Sequence, residues 1–148
     1  MYRHDRITGD TTVVADGFDK PNGIALSPDE RTLYVTDSGA NQEPGSYHVD
    51  RPHHIKAFDV LDGQRLSGER LFAVVTPGFP DGLKVDQDGR VYTSSFSGVQ
   101  IFNPDGRLLG EIHLPGAVNF CFGGPEADLL LITTDSAVWA AALAAKGA

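Results

Sequence analysis

The chain has 148 residues, 41% of them hydrophobic, and a formal net charge of −8. That charge disfavours nucleic acid, which is held through Lys and Arg contacts to phosphate, and no apolar run approaches the roughly 18 to 20 residues of a membrane-spanning helix. One cysteine, Cys121, excludes an intrachain disulfide; with no signal-peptide core beside Arg3, His4 and Arg6, a reducing cytoplasm is the expected setting.

From the amino end, Tyr2-Arg3-His4-Asp5 with Thr8-Gly9, then Thr12-Val13-Val14-Ala15, reads as the later half of a repeating unit. The first full unit opens at Pro21-Asn22-Gly23-Ile24-Ala25-Leu26, turns at Pro28-Asp29-Glu30 and continues through Leu33-Tyr34-Val35-Thr36. Pro80-Asp81-Gly82-Leu83-Lys84-Val85, Asp88-Gly89 and Val91-Tyr92-Thr93 repeat that pattern, as do Val118-Asn119-Phe120-Cys121-Phe122, Glu126-Ala127-Asp128 and Leu130-Leu131-Ile132-Thr133. An apolar run, an acidic or glycine turn and a β-branched run spell a tight antiparallel hairpin. Further strands follow at Ile55 to Val60, Val99 to Asn103 and Ala137 to Trp139, so each unit carries about four short strands, the content of a propeller blade.

The expectation is an all-β fold, a single partial β-propeller domain over residues 1–148 with about three blades plus part of a fourth. An open stack of blades exposes unpaired strand edges, which predicts either a longer propeller or self-association through them. The stretch from Asp37 to His54 is far longer than an ordinary hairpin loop, and loops of that length are often functional. Ala140 to Ala148 can extend the last strand, fray, or form a short helix.

Asn22, Asp81 and Asn119 head the first strand of successive units, where a propeller brings side chains together on its axis. A ring of such oxygens suits a hard cation such as calcium, magnesium or manganese, with Asp81 the only ionised group and the natural base. Asn and Asp before Gly are equally ordinary turn formers whose side chains bond their own backbone. Other candidates read as structural. His53 and His54 are adjacent and point to opposite faces of a strand, so with His48 they are expected as solvated loop residues. Cys121, between Phe120 and Phe122, and Trp139 are expected in the core. Ser94, Ser95 and Ser97 lack the context of a hydrolase elbow, and Gly123-Gly124-Pro125 is a turn without the Lys of a phosphate loop. Asp29, Asp88 and Asp128 belong to hairpin turns at the far end of the strands.

Taken together, the segments starting at Pro21, Pro80 and Asn119 resemble the later half of the SMP-30/gluconolactonase/luciferin-regenerating-enzyme family, over essentially the whole chain from Tyr2 to about Ala142. The resemblance implies a six-bladed β-propeller with one divalent cation on its axis, calcium first, with zinc, magnesium or manganese as alternatives. It implies a small-molecule partner, a lactone of a sugar acid such as gluconolactone, which the protein would hydrolyse. Asn22 would then be a metal ligand, Asp81 a metal ligand and general base, and Asn119 a residue beside the site. A glutamate and a further asparagine that complete the family's metal site have no counterpart here. The sequence therefore leaves three readings: an incomplete lactonase, a non-enzymatic half-propeller acting as a scaffold or self-associating module, or the same fold with another chemistry, since related propellers act on phosphate triesters or form carbon bonds.

Overall fold

In the computed structural model, which describes residues 1–148, the chain forms strands and turns with no helix, hence none that could cross a membrane. Strands β1 (Tyr2–His4) and β2 (Thr11–Val13) make a two-stranded sheet. Strands β3 (Pro21–Leu26), β4 (Thr32–Asp37), β5 (His54–Leu61) and β6 (Arg65–Val74) make a four-stranded one. A second four-stranded sheet contains β7 (Leu83–Val85), β8 (Val91–Ser94), β9 (Gly98–Phe102) and β10 (Leu108–His113). The last, of three strands, contains β11 (Ala117–Gly123), β12 (Leu129–Thr134) and β13 (Val138–Ala142). Every pairing is antiparallel between strands consecutive in the chain. This is an all-β, incomplete propeller: two full blades, three strands of another and a two-stranded remnant.

The sheets pack face to face, and the apolar alternation of each strand makes that stacking possible. Tyr34, Ile55, Ala57, Ala73 and Val75 of the first full sheet meet Leu83, Val85, Val91 and Phe102 of the second. The opposite face of the second sheet places Tyr92 and Val99 against Ala117, Phe120, Leu130 and Ile132 of the third. Each such fully buried aliphatic or aromatic side chain contributes about 1.5–3 kcal/mol relative to exposure. The β7–β10 sheet is thus covered on both faces, and all four residues of β8 are buried.

The outer flanks are different. Ile24 and Leu26 on β3 are 54% and 41% exposed, and the β1–β2 sheet leaves beside them an apolar cleft of about 300 Å³ lined by Met1, Tyr2, Val14 and Leu66. At the other end two expectations are corrected. Cys121 is exposed, because it points away from Phe120 and shares the uncovered face of the last sheet with Leu131. Trp139 is 52% exposed on the edge strand β13, where no fourth strand flanks it.

The alanine-rich terminus forms no helix. β13 takes it to Ala142, and the tail then crosses to the neighbouring sheet, where Gly147 bridges Asp86 and the Gln87 amide donates to the Lys146 carbonyl at 2.9 Å. Lys146 is anchored in turn on Glu126.

Candidate active site at the head of the inner strands

The innermost strands lie side by side, β7 touching both β3 and β11. Their heads meet because glycines follow the polar residues. A Cβ on Gly23 would collide with the Asp81 carbonyl oxygen, and one on Gly82 would lie 2.8 Å from the Asn119 Cα. Glycine allows backbones this close. Its presence in the first two motifs is therefore a packing requirement between neighbouring blades as well as a turn signal.

Hydroxyl side chains on the second strand of each sheet fix the heads. The Gly23 amide donates to Thr36 Oγ1 at 2.6 Å, and the Thr36 hydroxyl reaches across to the Asp81 carbonyl at 3.1 Å. Ser94 Oγ accepts from the Asp81 and Gly82 amides at 3.1 and 3.2 Å, and the Thr133 hydroxyl donates to the Asn119 carbonyl at 3.0 Å. Ser38 adds a bond to the Pro80 carbonyl at 2.5 Å. The Asp81 backbone is thus held from its own sheet and from the preceding one. This leaves its side chain free of any backbone role.

That side chain is half-buried. Burial pushes the Asp81 carboxyl above the usual aspartate range, and the neighbouring Asn22 side-chain amide pulls the other way. Asn22 and Asp81, heads of adjacent sheets, are therefore neighbours. Asn119 lies against Gly82, with its Oδ1 accepting from the Phe120 amide at 2.8 Å. Of the three, only Asp81 lines the adjoining cavity of about 270 Å³, whose other walls include Asn41, Phe79, Phe96 and Asp135.

Those four residues carry no repeat signature. Asn41 comes from the long loop, which is ordered by the buried carboxylate of Asp37: it accepts from the amides of Asp19, Lys20 and Gly39 at 2.9, 2.8 and 3.1 Å. Lys20 Nζ then clasps the Asn41 and Gln42 carbonyls at 2.5 and 2.9 Å. The loop histidines divide. His53 Nδ1 bonds the Arg51 carbonyl at 2.8 Å. His54, in contrast to the expectation of a solvated loop residue, belongs to β5 and is half-buried, with burial lowering its pKa. Nε2 of both His54 and His48 is enclosed without a hydrogen-bond partner.

An amide and a carboxylate offered together are hard oxygen donors, and a desolvated carboxylate beside a neutral amide is a fit for a divalent cation. The set is small. Calcium takes six to eight oxygens, and nowhere do three or more His, Cys, Asp or Glu side chains cluster to hold a metal.

A family profile described as "SMP-30/Gluconolactonase/LRE-like region" matches residues 1–136. The chain is similar to lactonohydrolase oryH of Aspergillus oryzae, 37% identical over 161 aligned residues that cover 99% of this chain and 34% of the fungal protein. A gluconolactonase structure from Xanthomonas campestris superposes with a TM-score of 0.79 at 40% identity, over 96% of this chain and 43% of that one. Regucalcin from Agrobacterium tumefaciens, described as a calcium-binding protein, superposes with a TM-score of 0.78 at 20% identity, over 99% and 53% of the two chains. At that identity the likeness speaks for the fold alone. The chain spans between about a third and a half of the length of these three proteins.

Proposed function

Because the chain belongs to the SMP-30/gluconolactonase/LRE-like family, we propose that it forms the Asp81-bearing part of a divalent-metal-dependent hydrolase that opens lactones of sugar acids. The observation that carries the reading is the placement of Asp81: its backbone is pinned, its carboxylate is half-buried, its side-chain neighbour is the neutral Asn22, and it opens on a cavity. The names of the relatives supply the reaction, lactone hydrolysis.

Asn22 and Asp81 would hold the cation, with Asn119 beside them and the remaining donors supplied by water or by polypeptide outside these residues. Such a cation supplies Lewis-acid stabilisation of negative charge on the lactone carbonyl oxygen. Asp81 takes a proton from water as the water oxygen attacks the carbonyl carbon. The bond from that carbon to the ring oxygen breaks, and the ring oxygen leaves as the new hydroxyl of the acid, taking up the proton that Asp81 had removed and so restoring the carboxylate. Ser94 and Thr36 keep Asp81 aimed throughout, through its amide and carbonyl.

In a preparation that turns over glucono-δ-lactone, Asp81→Asn is expected to lower kcat by about 10²- to 10⁴-fold, the usual contribution of a general base, without unfolding the protein. A wild-type rate in that variant would remove the assignment. The uncovered apolar flanks at Ile24, Leu26, Val138 and Trp139 favour a second reading, a self-associating scaffold. A folded chain that assembles in solution, yet neither binds a divalent cation nor hydrolyses lactones, would select it.

A further inference from the structure

Resting on the lactonase reading, we infer that the cavity beside Asp81 selects uncharged lactones: the C–H face of the ring lies on Phe96, and Asp135 turns away anionic analogues.

Phe96 is 46% exposed, a large apolar surface left in water at the wall of a cavity that holds a carboxylate. Its position is built. Gly78 has a φ of 91° and no room for a side chain, since a Cβ there would overlap the Phe96 ring. The rings of Phe79 and Tyr47 each pack with their centroids 5.2 Å from that of Phe96. The Phe96 amide donates to the Pro77 carbonyl at 3.1 Å. The segment carrying Gly78 and Phe79 is itself tied down: buried Gln100 donates from Nε2 to the Thr76 carbonyl at 2.7 Å. Separate stretches of chain therefore hold this one ring in place at the cavity wall. An aromatic plane with a few polar groups around it is the usual construction of a small-molecule pocket. It suits a ring with C–H bonds on one face and hydroxyls at its rim, for which Asn41 is the available partner, the Ser94 and Ser95 hydroxyls being buried and bonded to backbone.

The charge of the cavity is one-sided. Its lining includes two carboxylates, Asp81 and Asp135, and no Lys or Arg. A cation held by Asn22 and Asp81 would offset Asp81, whereas Asp135 stands apart on the loop between β12 and β13. A phosphate or sulfonate on the substrate would enter beside that carboxylate, and like charges so placed are a source of discrimination.

The test is titration of the 148-residue chain with glucono-δ-lactam, a ring that water does not open, and with its 6-phosphate, followed by calorimetry and by the aromatic resonances of Phe96 and Tyr47. The neutral lactam is expected to bind at least about tenfold more tightly than the phosphate, a difference of ~1.4 kcal/mol. Phe96→Ala should weaken the neutral lactam about tenfold, Phe96→Tyr should restore it, and Asp135→Asn should bring the two ligands within about threefold of each other. Equal or tighter binding of the phosphate, an unchanged affinity in Phe96→Ala, or no binding of either ligand to the folded chain would each overturn the inference. Its failure is separable from that of the lactonase reading. Loss of turnover in Asp81→Asn together with equal handling of neutral and phosphorylated lactones sinks only the selectivity. The expected lactam preference together with undiminished turnover in Asp81→Asn sinks only the base.

Discussion

Asp81 and Asp86 flank β7, one before its first residue and one after its last, and they occupy contrasting environments. Asp86 is fully buried and completely partnered. Its Oδ1 accepts from the amides of Asp88 and Arg90 at 3.0 and 2.9 Å, and its Oδ2 from Arg90 Nε at 2.6 Å and the Tyr92 hydroxyl at 3.0 Å. Burial and that carboxylate together push the Tyr92 hydroxyl far up. Asp81 is desolvated without a cationic partner, facing only an amide. A buried charge persists where it is paired and hydrogen-bonded. Asp86 meets that condition within the chain, whereas half-buried Asp81 has no cation of the chain beside it and stays open to solvent or to a ligand. The difference separates an acid tied into the fold from the one proposed as the base.

Substitution can break this contrast from either side. The largest effect is expected at Asp86→Ala, which strands the Arg90 guanidinium, the Tyr92 hydroxyl and two backbone amides. Urea denaturation should show a loss of about 3–5 kcal/mol, and a loss below 1 kcal/mol would mean that the network is not structural. Next is the cation itself. Calcium at about 100 times its dissociation constant should stabilise the wild type by ~2.7 kcal/mol, read as a rise in Tm that EDTA reverses and that Asp81→Asn lacks. Gly23→Ala should cost about 1–3 kcal/mol by overpacking, because the new methyl meets the Asp81 carbonyl, and it should also blunt the calcium response. A calcium response equal to wild type would show that Asn22 and Asp81 need not be so close.

The smallest effect has an unusual sign. The folded-state pKa of Asp81 lies above its unfolded value, so its favourable contribution is present at low pH and is lost as pH rises through the folded value. Ionised Asp81 therefore opposes folding at neutral pH when no cation is bound. In EDTA at pH 7, Asp81→Asn should melt slightly above wild type, and the gap should close as the pH is lowered past the ordinary aspartate range. A lower Tm for the variant at pH 7 would place Asp81 with Asp86 among the structural acids.

Most of the fold was legible because the repeat carries it: apolar alternation, turn residues and spacing recur, and the four sheets appear where the pattern changes. The heads of the inner strands were legible for the same reason. The repeat could not give what depends on contacts between units. The cavity walls come from Asn41 in an irregular loop, Phe79 and Phe96 in turns, and Asp135 in another unit, and no local pattern joins them. One further signal is present in the sequence, a hydroxyl residue at or next to the end of each second strand, at Thr36, Ser94 and Thr133. Alternation also says which residues share a face but not whether that face is covered. For this reason Cys121 and Trp139 looked internal and are not.

The sandwiching of the middle sheet between two neighbours bears on how the molecule opens. Protection against deuterium exchange follows burial and cooperative contact, so the amides of β8 and β9 are expected to be the last to exchange, and those of β1, β2 and β13 the first. Asp81 hangs from the slowest-opening layer. On that order of opening, its aim is expected to survive fraying of the outer strands, so that the ends of the stack breathe without disturbing the carboxylate.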